Sequence, residues 1–553
     1  MQIQEFIKKY YFSVIVIALL FFALIVRYYH TKIGLPYLYY WDEPQTASTA
    51  LHMMKSGDLN PHFFAYGTMM IYANLFVDIL HYFSLMGHPP TAESYLTHID
   101  EILINVDTGW KWTISHPSFY HWNRVLSVLL GVATVFVTFL VGRLLFNRWV
   151  GLIAAAFLAV LPFHVIRSTW VATDSPVALF VLLVVLFSLL FIKSQKLSYF
   201  ILSLVFVGVA IATKYNSGLA MLIPFISLLW LTFISKEKVK TYMWFLVPTI
   251  PIAVFLMIMP YAIIDLPTFL RHVGGEVRHY KVLGQAGHTL SPGLGHLKFQ
   301  ILQFYSHIGF FNSIMIGLGV LGILFRPLFI FTLMMPFLYI SYMIGTKVGF
   351  HRNFIQVYPF LALLFASGFY IVYKIIEQVR IRFAWQRAWI TPIAVVSLAL
   401  LFLVPQASTT YALAKMEKKA RDSRTHAIGT INATQGFKKL VIAKELRMHK
   451  QDLRKLNLPY KIKPLLTIAS KPSNDDTLYI LPALITSYKW KKDKKKITAM
   501  RGFVTSIEPF IIKKVSKNDR GDKRNYVGIT RLYHYSISPD ILLVKNWRAK
   551  GAE

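Results

Sequence analysis

Long apolar stretches follow one another from Phe12 to Val404, and they constrain this chain more than any other feature. A bilayer core about 30 Å thick is crossed by about 20 helical residues. In lipid every backbone amide must find its partner within its own segment, which leaves the helix as the fold of each run. The runs place about eleven spans, at 11–29, 123–144, 148–165, 174–193, 198–213, 217–234, 242–263, 308–325, 328–346, 354–374 and 387–405. The first run lacks a small-residue cleavage site and leads into Tyr-rich sequence, so it reads as a retained helix and not a signal peptide. Hydrophobic residues make up 55% of the 553 and charged residues only 15%. The expected fold class is a polytopic α-helical membrane protein. With no cysteine, the chain has no disulfide, thiolate nucleophile or thiolate metal site.

Basic residues orient the spans. With the amino terminus cytoplasmic, Lys8 and Lys9, Arg143 and Arg148, Lys193 and Lys196, and Lys236, Lys238 and Lys240 fall in cytoplasmic segments. Arg326 and the group Lys374, Arg380, Arg382 and Arg387 join them, as the positive-inside rule expects. The extracytoplasmic side then receives loop 30–122, short turns near 166–173 and 214–216, loop 264–307, segment 347–353 and everything after about 406. Part of the first loop, 63–86, is amphipathic and suits a helix lying in the membrane interface.

The expected domains are thus a membrane domain over 1–405 and an extracytoplasmic α/β domain over 406–553. In the latter, short apolar runs (Leu440–Ala443, Leu478–Leu481, Ile541–Val544) alternate with polar and turn residues. From Tyr411 to Glu553 there are 32 Lys and Arg against 12 Asp and Glu. Such a domain suits contact with anionic headgroups, and the Lys491–Lys496 run reads as a solvated loop. An extracytoplasmic position argues against nucleic acid as a partner.

Acids near the membrane are costly and mark function. Asp42 and Glu43, behind Trp41, open the first loop, and Asp174 lies in Thr173-Asp174-Ser175-Pro176 at a helix start. The plain alternative for Asp42 and Asp174 is helix capping ahead of a proline. Two carboxylates in one site divide labour, one as base and one holding the acceptor or that base. Cations share the same face: Arg124, Lys214, Arg278, and the His351-Arg352-Asn353 turn. Arg offers a fork and Lys a point charge to a lipid-borne phosphate, although both also snorkel to headgroups. Trp41, His62, Tyr66 and His288 are candidate lining residues. No His/acid spacing marks a metal site.

The stretch Trp41-Asp42-Glu43-Pro44, followed by Ser56-Gly57-Asp58-Leu59-Asn60-Pro61-His62-Phe63-Phe64-Ala65-Tyr66-Gly67, resembles the first outer loop of the protein O-mannosyltransferase superfamily. This superfamily comprises the glycosyltransferase family 39-like and related aminoarabinose-transferase-like enzymes of the GT-C fold. Arg124-Val125-Leu126-Ser127, Thr173-Asp174-Ser175-Pro176, Ala212-Thr213-Lys214-Tyr215-Asn216 and His351-Arg352-Asn353 before Tyr358-Pro359 follow in the family's order. Asp422-Ser423-Arg424-Thr425-His426-Ala427 is similar to the start of the soluble domain in bacterial members. Two departures bear on sugar and acceptor identity. His351-Arg352-Asn353 stands where many members have His-Arg-Tyr, and Gly67-Thr68 replaces a Pro-rich continuation.

The resemblance implies an inverting transferase that moves a sugar from a polyprenyl-phosphate carrier to an acceptor hydroxyl, with neither nucleotide sugar, cofactor nor metal. Asp42 would take the acceptor's proton, and Glu43 and Asp174 would orient the acceptor or support the site. Arg124 would be linked with the acidic pair or the lipid phosphate, and the remaining cations with the donor. The expected partners are that donor, membrane lipids and an unspecified protein, lipid or glycan acceptor at the plasma membrane. A transporter or flippase of lipid-linked glycans is the alternative from another class. It would show internal repeats with paired broken helices, and the chain has no such repeat. A non-catalytic binder of the lipid carrier would lack the Asp-Glu pair, which is intact here.

Overall fold

The computed structural model describes residues 2–37, 40, 42–86, 116–285, 287–383, 390–419, 422–469, 476–482, 511–515 and 541–544. Trp41 and the Lys491–Lys496 run lie outside the described residues. The chain forms two compact units, one of 1–31, 42–108 and 118–413, the other of 32–41, 109–117 and 414–553.

The first unit is helical. Among the described residues, eight of its helices are long and apolar enough to cross a membrane, or nine if Leu294–Ile308 and Phe310–Phe325, bent by 111°, form one broken span. The shorter apolar helices Arg148–Val160, Leu197–Thr213 and Tyr242–Ile258 complete the spans expected from the sequence. Met69–Met86, expected to lie in the interface, is also among the eight by length and composition. The polytopic class is borne out. Local chemistry sets the helix ends: the Asn147 side chain accepts from the amides of Trp149 and Val150, as an N-cap should.

The spans are unequal in depth. Within the most apolar 18-residue window of each, Asp174–Ser194 and His351–Arg382 are 83% buried by protein, whereas Tyr10–Tyr28 and Thr391–Lys415 are 22% and 17% buried. Of the two innermost helices, the second, His351–Arg382, is held in place by close packing. Where Phe310–Gly319 meets Tyr358–Arg382, a Cβ on Gly319 would come within 1.8 Å of the Leu364 carbonyl oxygen, and one on Gly368 within 2.3 Å of that of Met315. Backbones in such contact need small residues. A buried arginine secures the first helix: Arg27 Nε donates to Ser168 Oγ, and Nη1 to the carbonyls of Ala23 and Ala159. Its Nη2 reaches the Leu158 carbonyl and His164 Nδ1. The Leu158 and Ala159 carbonyls lie at the end of the Arg148–Val160 helix, where a cation is favoured.

The second unit contains a five-stranded sheet of β1 (Lys439–Ala443), β2 (Tyr460–Lys463), β3 (Thr477–Pro482), β4 (Ile511–Val515) and β5 (Ile541–Val544), in the order β2-β1-β3-β5-β4. β1 runs parallel to β2 and β3, and β5 antiparallel to β3 and β4. β5 is buried throughout and β1 nearly so, which is why both read as continuous apolar runs. Ala427, Ile428 and Ile431 of helix Ser423–Ala433 share their core. Within this unit Tyr37 donates to Asp452 Oδ2 at 2.7 Å and accepts from the His449 amide, while the Arg424 guanidinium lies 3.6 Å over its ring. Arg424 in turn grips Asp422 at 2.7 and 2.8 Å.

Candidate active site

Asp174 and the His351–Val357 turn stand at the leading ends of the two innermost helices, and this is where the charged residues meet. Neither Asp42 nor Asp174 caps its helix. Asp42 precedes Glu43–Ser56 without a side-chain bond to the helix amides, and Thr173, not Asp174, holds the cap position of Asp174–Ser194. Both carboxylates turn to cations instead. Arg352 Nη2 lies 2.8 Å from Asp42 Oδ2, and its Nε 3.8 Å from Asp174 Oδ2. Lys214, at the end of Leu197–Thr213, donates to Asp174 Oδ1 and, at 3.0 Å, to Asn353 Oδ1. The four charged side chains are 11–18% exposed, so the cluster is sheltered but open to a ligand.

Glu43 has a different environment. Arg124 Nε and Nη2 fork onto its two oxygens at 2.8 and 2.7 Å, and the Val171 amide adds a third bond at 3.2 Å. Arg124 Nη1 donates to the Thr31 carbonyl. With side chains 0% and 2% exposed, this pair is fully enclosed.

A second layer fixes the turn that carries Arg352. The guanidinium stacks 3.9 Å over the Phe350 ring, which also meets His288 at 4.6 Å between centroids. Burial, helped by Arg352, pushes the His288 imidazole below its ordinary range and keeps it neutral. Asn353 donates from Nδ2 to the Tyr280 hydroxyl at 3.0 Å, and its carbonyl accepts from Tyr339 at 2.9 Å. Burial raises Tyr280 to about 12, so it stays a neutral phenol. His351 points away from the acids: its Nδ1 meets Gln300 Oε1 and its Nε2 the Tyr358 hydroxyl, both at 2.7 Å, against Phe304.

Asp42, Asp174, Lys214 and Arg352 are thus brought together, with Tyr66 near Asp42. Burial, and then the Asp42 charge, hold the Tyr66 hydroxyl well above its usual range. Arg278 is exposed and makes no contact with the cluster among the described residues. His62 is exposed too, pairing with Asp58 at 2.9 Å and Asp265 at 3.6 Å. Among the described residues no group of three or more His, Cys, Asp or Glu is placed to hold a metal ion.

Sequence reasoning missed Glu276. It lies half-buried on helix Leu266–Arg278, and burial followed by the charge of Asp42 lifts its carboxyl to about 7, against a smaller opposing effect of Lys214. The signal was present: Glu276 is the only acid between Asp265 and Glu377. It falls seven residues after Phe269, on the same helix face.

Residues 122–263, which carry Arg124, Asp174 and Lys214, match the family described as dolichyl-phosphate-mannose-protein mannosyltransferase. The resemblance read from the motifs is shown over that stretch, about a quarter of the chain. No curated protein sequence matches. Among solved structures, ArnT from Cupriavidus metallidurans bound to undecaprenyl phosphate is similar at TM-score 0.49 and 13% identity, over 97% of this chain and 98% of that one. The archaeal oligosaccharyltransferase AglB from Archaeoglobus fulgidus is similar at TM-score 0.43 and 13% identity, over 79% of this chain and 62% of that one. The S. cerevisiae Pmt1-Pmt2 complex is similar at TM-score 0.32 and 18% identity, over 54% of this chain and 36% of that one.

Proposed function

We propose that this multi-pass membrane protein is an inverting glycosyltransferase that moves a sugar from a polyprenyl-phosphate carrier to an acceptor hydroxyl on the extracytoplasmic membrane face. The observation that carries the reading is the sheltered cluster in which Arg352 and Lys214 are held between Asp42 and Asp174. The family match over 122–263 supports glycosyl transfer as the activity class, and the basic cytoplasmic loops support the face.

In the resting site each cation is balanced by a carboxylate. A donor phosphate entering the cluster competes for Arg352 and Lys214, and in doing so frees Asp42. The acceptor oxygen then attacks the anomeric carbon while the carbon–oxygen bond to phosphate breaks. The hydroxyl proton passes to Asp42, and the bond's electron pair stays with the leaving phosphate, which goes from one negative charge to two. A carboxylate in hydrogen-bond reach contributes about 10²–10⁴-fold to such a step. Arg352 and Lys214 stabilise the added charge where water is scarce. Asp174 keeps both cations in place, and the Glu43–Arg124 pair anchors the helix that Asp42 precedes. Tyr66 and His288 line the approach.

The test is transfer of radiolabelled sugar from polyprenyl-phosphate hexose in proteoliposomes, with chelator present. Turnover in the wild type that falls at least 100-fold in a folded Asp42→Asn variant is expected. Retained turnover in that variant removes Asp42 as the base. Movement of lipid across the bilayer without transfer replaces the reading with transport.

A further inference from the structure

The hydrogen bonds of the cluster can be assigned proton by proton. Lys214 carries only N–H groups, so the Asn353 atom 3.0 Å from its ammonium is the amide oxygen. The Asn353 NH2 is therefore turned to the Tyr280 hydroxyl, 3.0 Å away, and an NH2 group only donates. The phenol oxygen accepts that bond, which leaves the phenol's own proton to be donated elsewhere. Among the described residues it has no acceptor. Arg352 and Lys214, by contrast, each face a carboxylate.

Tyr280 is held from several sides. Beyond Arg278 the helix Leu266–Arg278 widens into a π turn, His279–Leu283, a feature frequent at functional sites. The turn closes with the Gly284 amide on the His279 carbonyl at 2.8 Å. The Tyr280 carbonyl accepts from the Lys347 amide at 2.8 Å, and Lys347 Nζ reaches back to the Val282 carbonyl at 2.9 Å. The chain beyond the turn runs along the same segment. The Leu290 amide donates to the Lys347 carbonyl at 2.8 Å, and the Gly349 amide to the His288 carbonyl at 2.9 Å. Asn353 is fixed on its other side, where its carbonyl accepts from Tyr339 at 2.9 Å. A phenol held at both backbone and hydroxyl loses little freedom when it binds a ligand. Its proton stays on oxygen, since burial raises it to about 12, and it offers a hydrogen bond without a charge.

We propose that Tyr280 reads a hydroxyl of the transferred sugar, donating its phenol proton to that oxygen and so helping to set which sugar the site accepts. This rests on the glycosyl-transfer reading above. A sugar oxygen and a phosphate oxygen are both acceptors for a phenol, and charge divides them. Phosphate oxygens are drawn to Arg352 and Lys214 by charge-assisted bonds, whereas a neutral donor beside those cations suits a neutral oxygen. Position agrees. Tyr280 is joined to Lys214 through Asn353 and not directly, which puts its hydroxyl to one side of a phosphate held on Lys214, where the attached sugar lies. A site built to bond a hydroxyl rejects the analogue that lacks it, because the donor is then left unpaired. No bond of the transfer forms or breaks at Tyr280, so it selects the sugar without taking part in the chemical step.

The experiment measures kcat/KM for wild type, Tyr280→Phe and Tyr339→Phe on the polyprenyl-phosphate hexose that the wild type turns over and on its monodeoxy analogues, each lacking one hydroxyl. The wild type should prefer the parent over one analogue by at least about tenfold. Tyr280→Phe should lower the parent-to-analogue ratio at that position by about tenfold and leave the other ratios as they are. Because each ratio is compared between enzymes, the analogue's own reactivity cancels. Tyr339→Phe, which loosens Asn353 from its other side, should slow every donor alike and keep all the ratios. If it lowers the same ratio as Tyr280→Phe, the effect belongs to the Asn353 turn and the proposal is overturned. Ratios unchanged in Tyr280→Phe overturn it as well. Weaker binding of sugar-free polyprenyl phosphate by that variant would then assign the phenol to the phosphate, and intact binding would leave it a support for Asn353. No turnover in the wild type overturns the transferase reading, whereas turnover with unchanged ratios overturns only the role of Tyr280.

Discussion

Replacing Glu43 by Gln separates structure from catalysis within the adjacent acids of the first loop. Glu43 is 0% exposed and takes three hydrogen bonds, two from the Arg124 fork and one from the Val171 amide. The amide that replaces the carboxylate removes the negative charge and turns an N–H group toward the guanidinium. Arg124, 2% exposed, then loses the carboxylate that its fork grips. Two charges about 4 Å apart attract by about 4 kcal/mol at an effective dielectric constant of about 20. Measured losses on breaking an enclosed pair are about 3–5 kcal/mol. The more exposed Asp42–Arg352 pair gives a contrast. Its side chains are 16% and 18% exposed, and Arg352 retains Asp174 nearby, so Asp42→Asn should cost less stability than Glu43→Gln while lowering transfer at least about 100-fold. Thermal unfolding in detergent, followed by fluorescence-detected size exclusion, reads both. Glu43→Gln should melt well below wild type and Asp42→Asn close to it. The double variant Glu43→Met with Arg124→Met should recover much of the loss, because no charge is left stranded. A Glu43→Gln protein that melts with the wild type yet transfers no sugar refutes the reasoning, and would assign Glu43 to the chemistry.

Two other predictions concern the frame. Gly319→Leu places a side chain where even a Cβ meets the Leu364 carbonyl oxygen at 1.8 Å. It should therefore separate the helices and lower the melting point by more than an exposed Gly317→Leu change; equal melting of the two variants contradicts the crossing. In the second unit, Tyr37→Phe deletes a donor to Asp452 and an acceptor for the His449 amide. It should cost about 1–3 kcal/mol and speed proteolysis of residues 414–553, and unchanged cleavage rates would count against that network.

Hydropathy fixes what is local. Whether a run such as Asp174–Ser194 enters a bilayer depends on the transfer free energy of its own side chains, which is why the spans, the basic loops and the α/β tail were legible residue by residue. The acids Asp42 and Asp174 and the cations Lys214 and Arg352 were legible too, because charge beside apolar sequence stands out. Their pairing was not. Arg124 reads as linked either with the acidic pair or with the lipid phosphate until the packed helices show it enclosed with Glu43. His351 reads as part of the donor site until its ring is found tied to Gln300 and Tyr358. Glu276 went unread in the sequence, since neither its burial nor the nearby Asp42 charge is written within its own segment. The sequence by itself determined that this chain is a membrane protein with acids and cations gathered at one face. Only the tertiary structure decided which acid meets which cation, because those energies depend on distance and burial between segments remote along the chain.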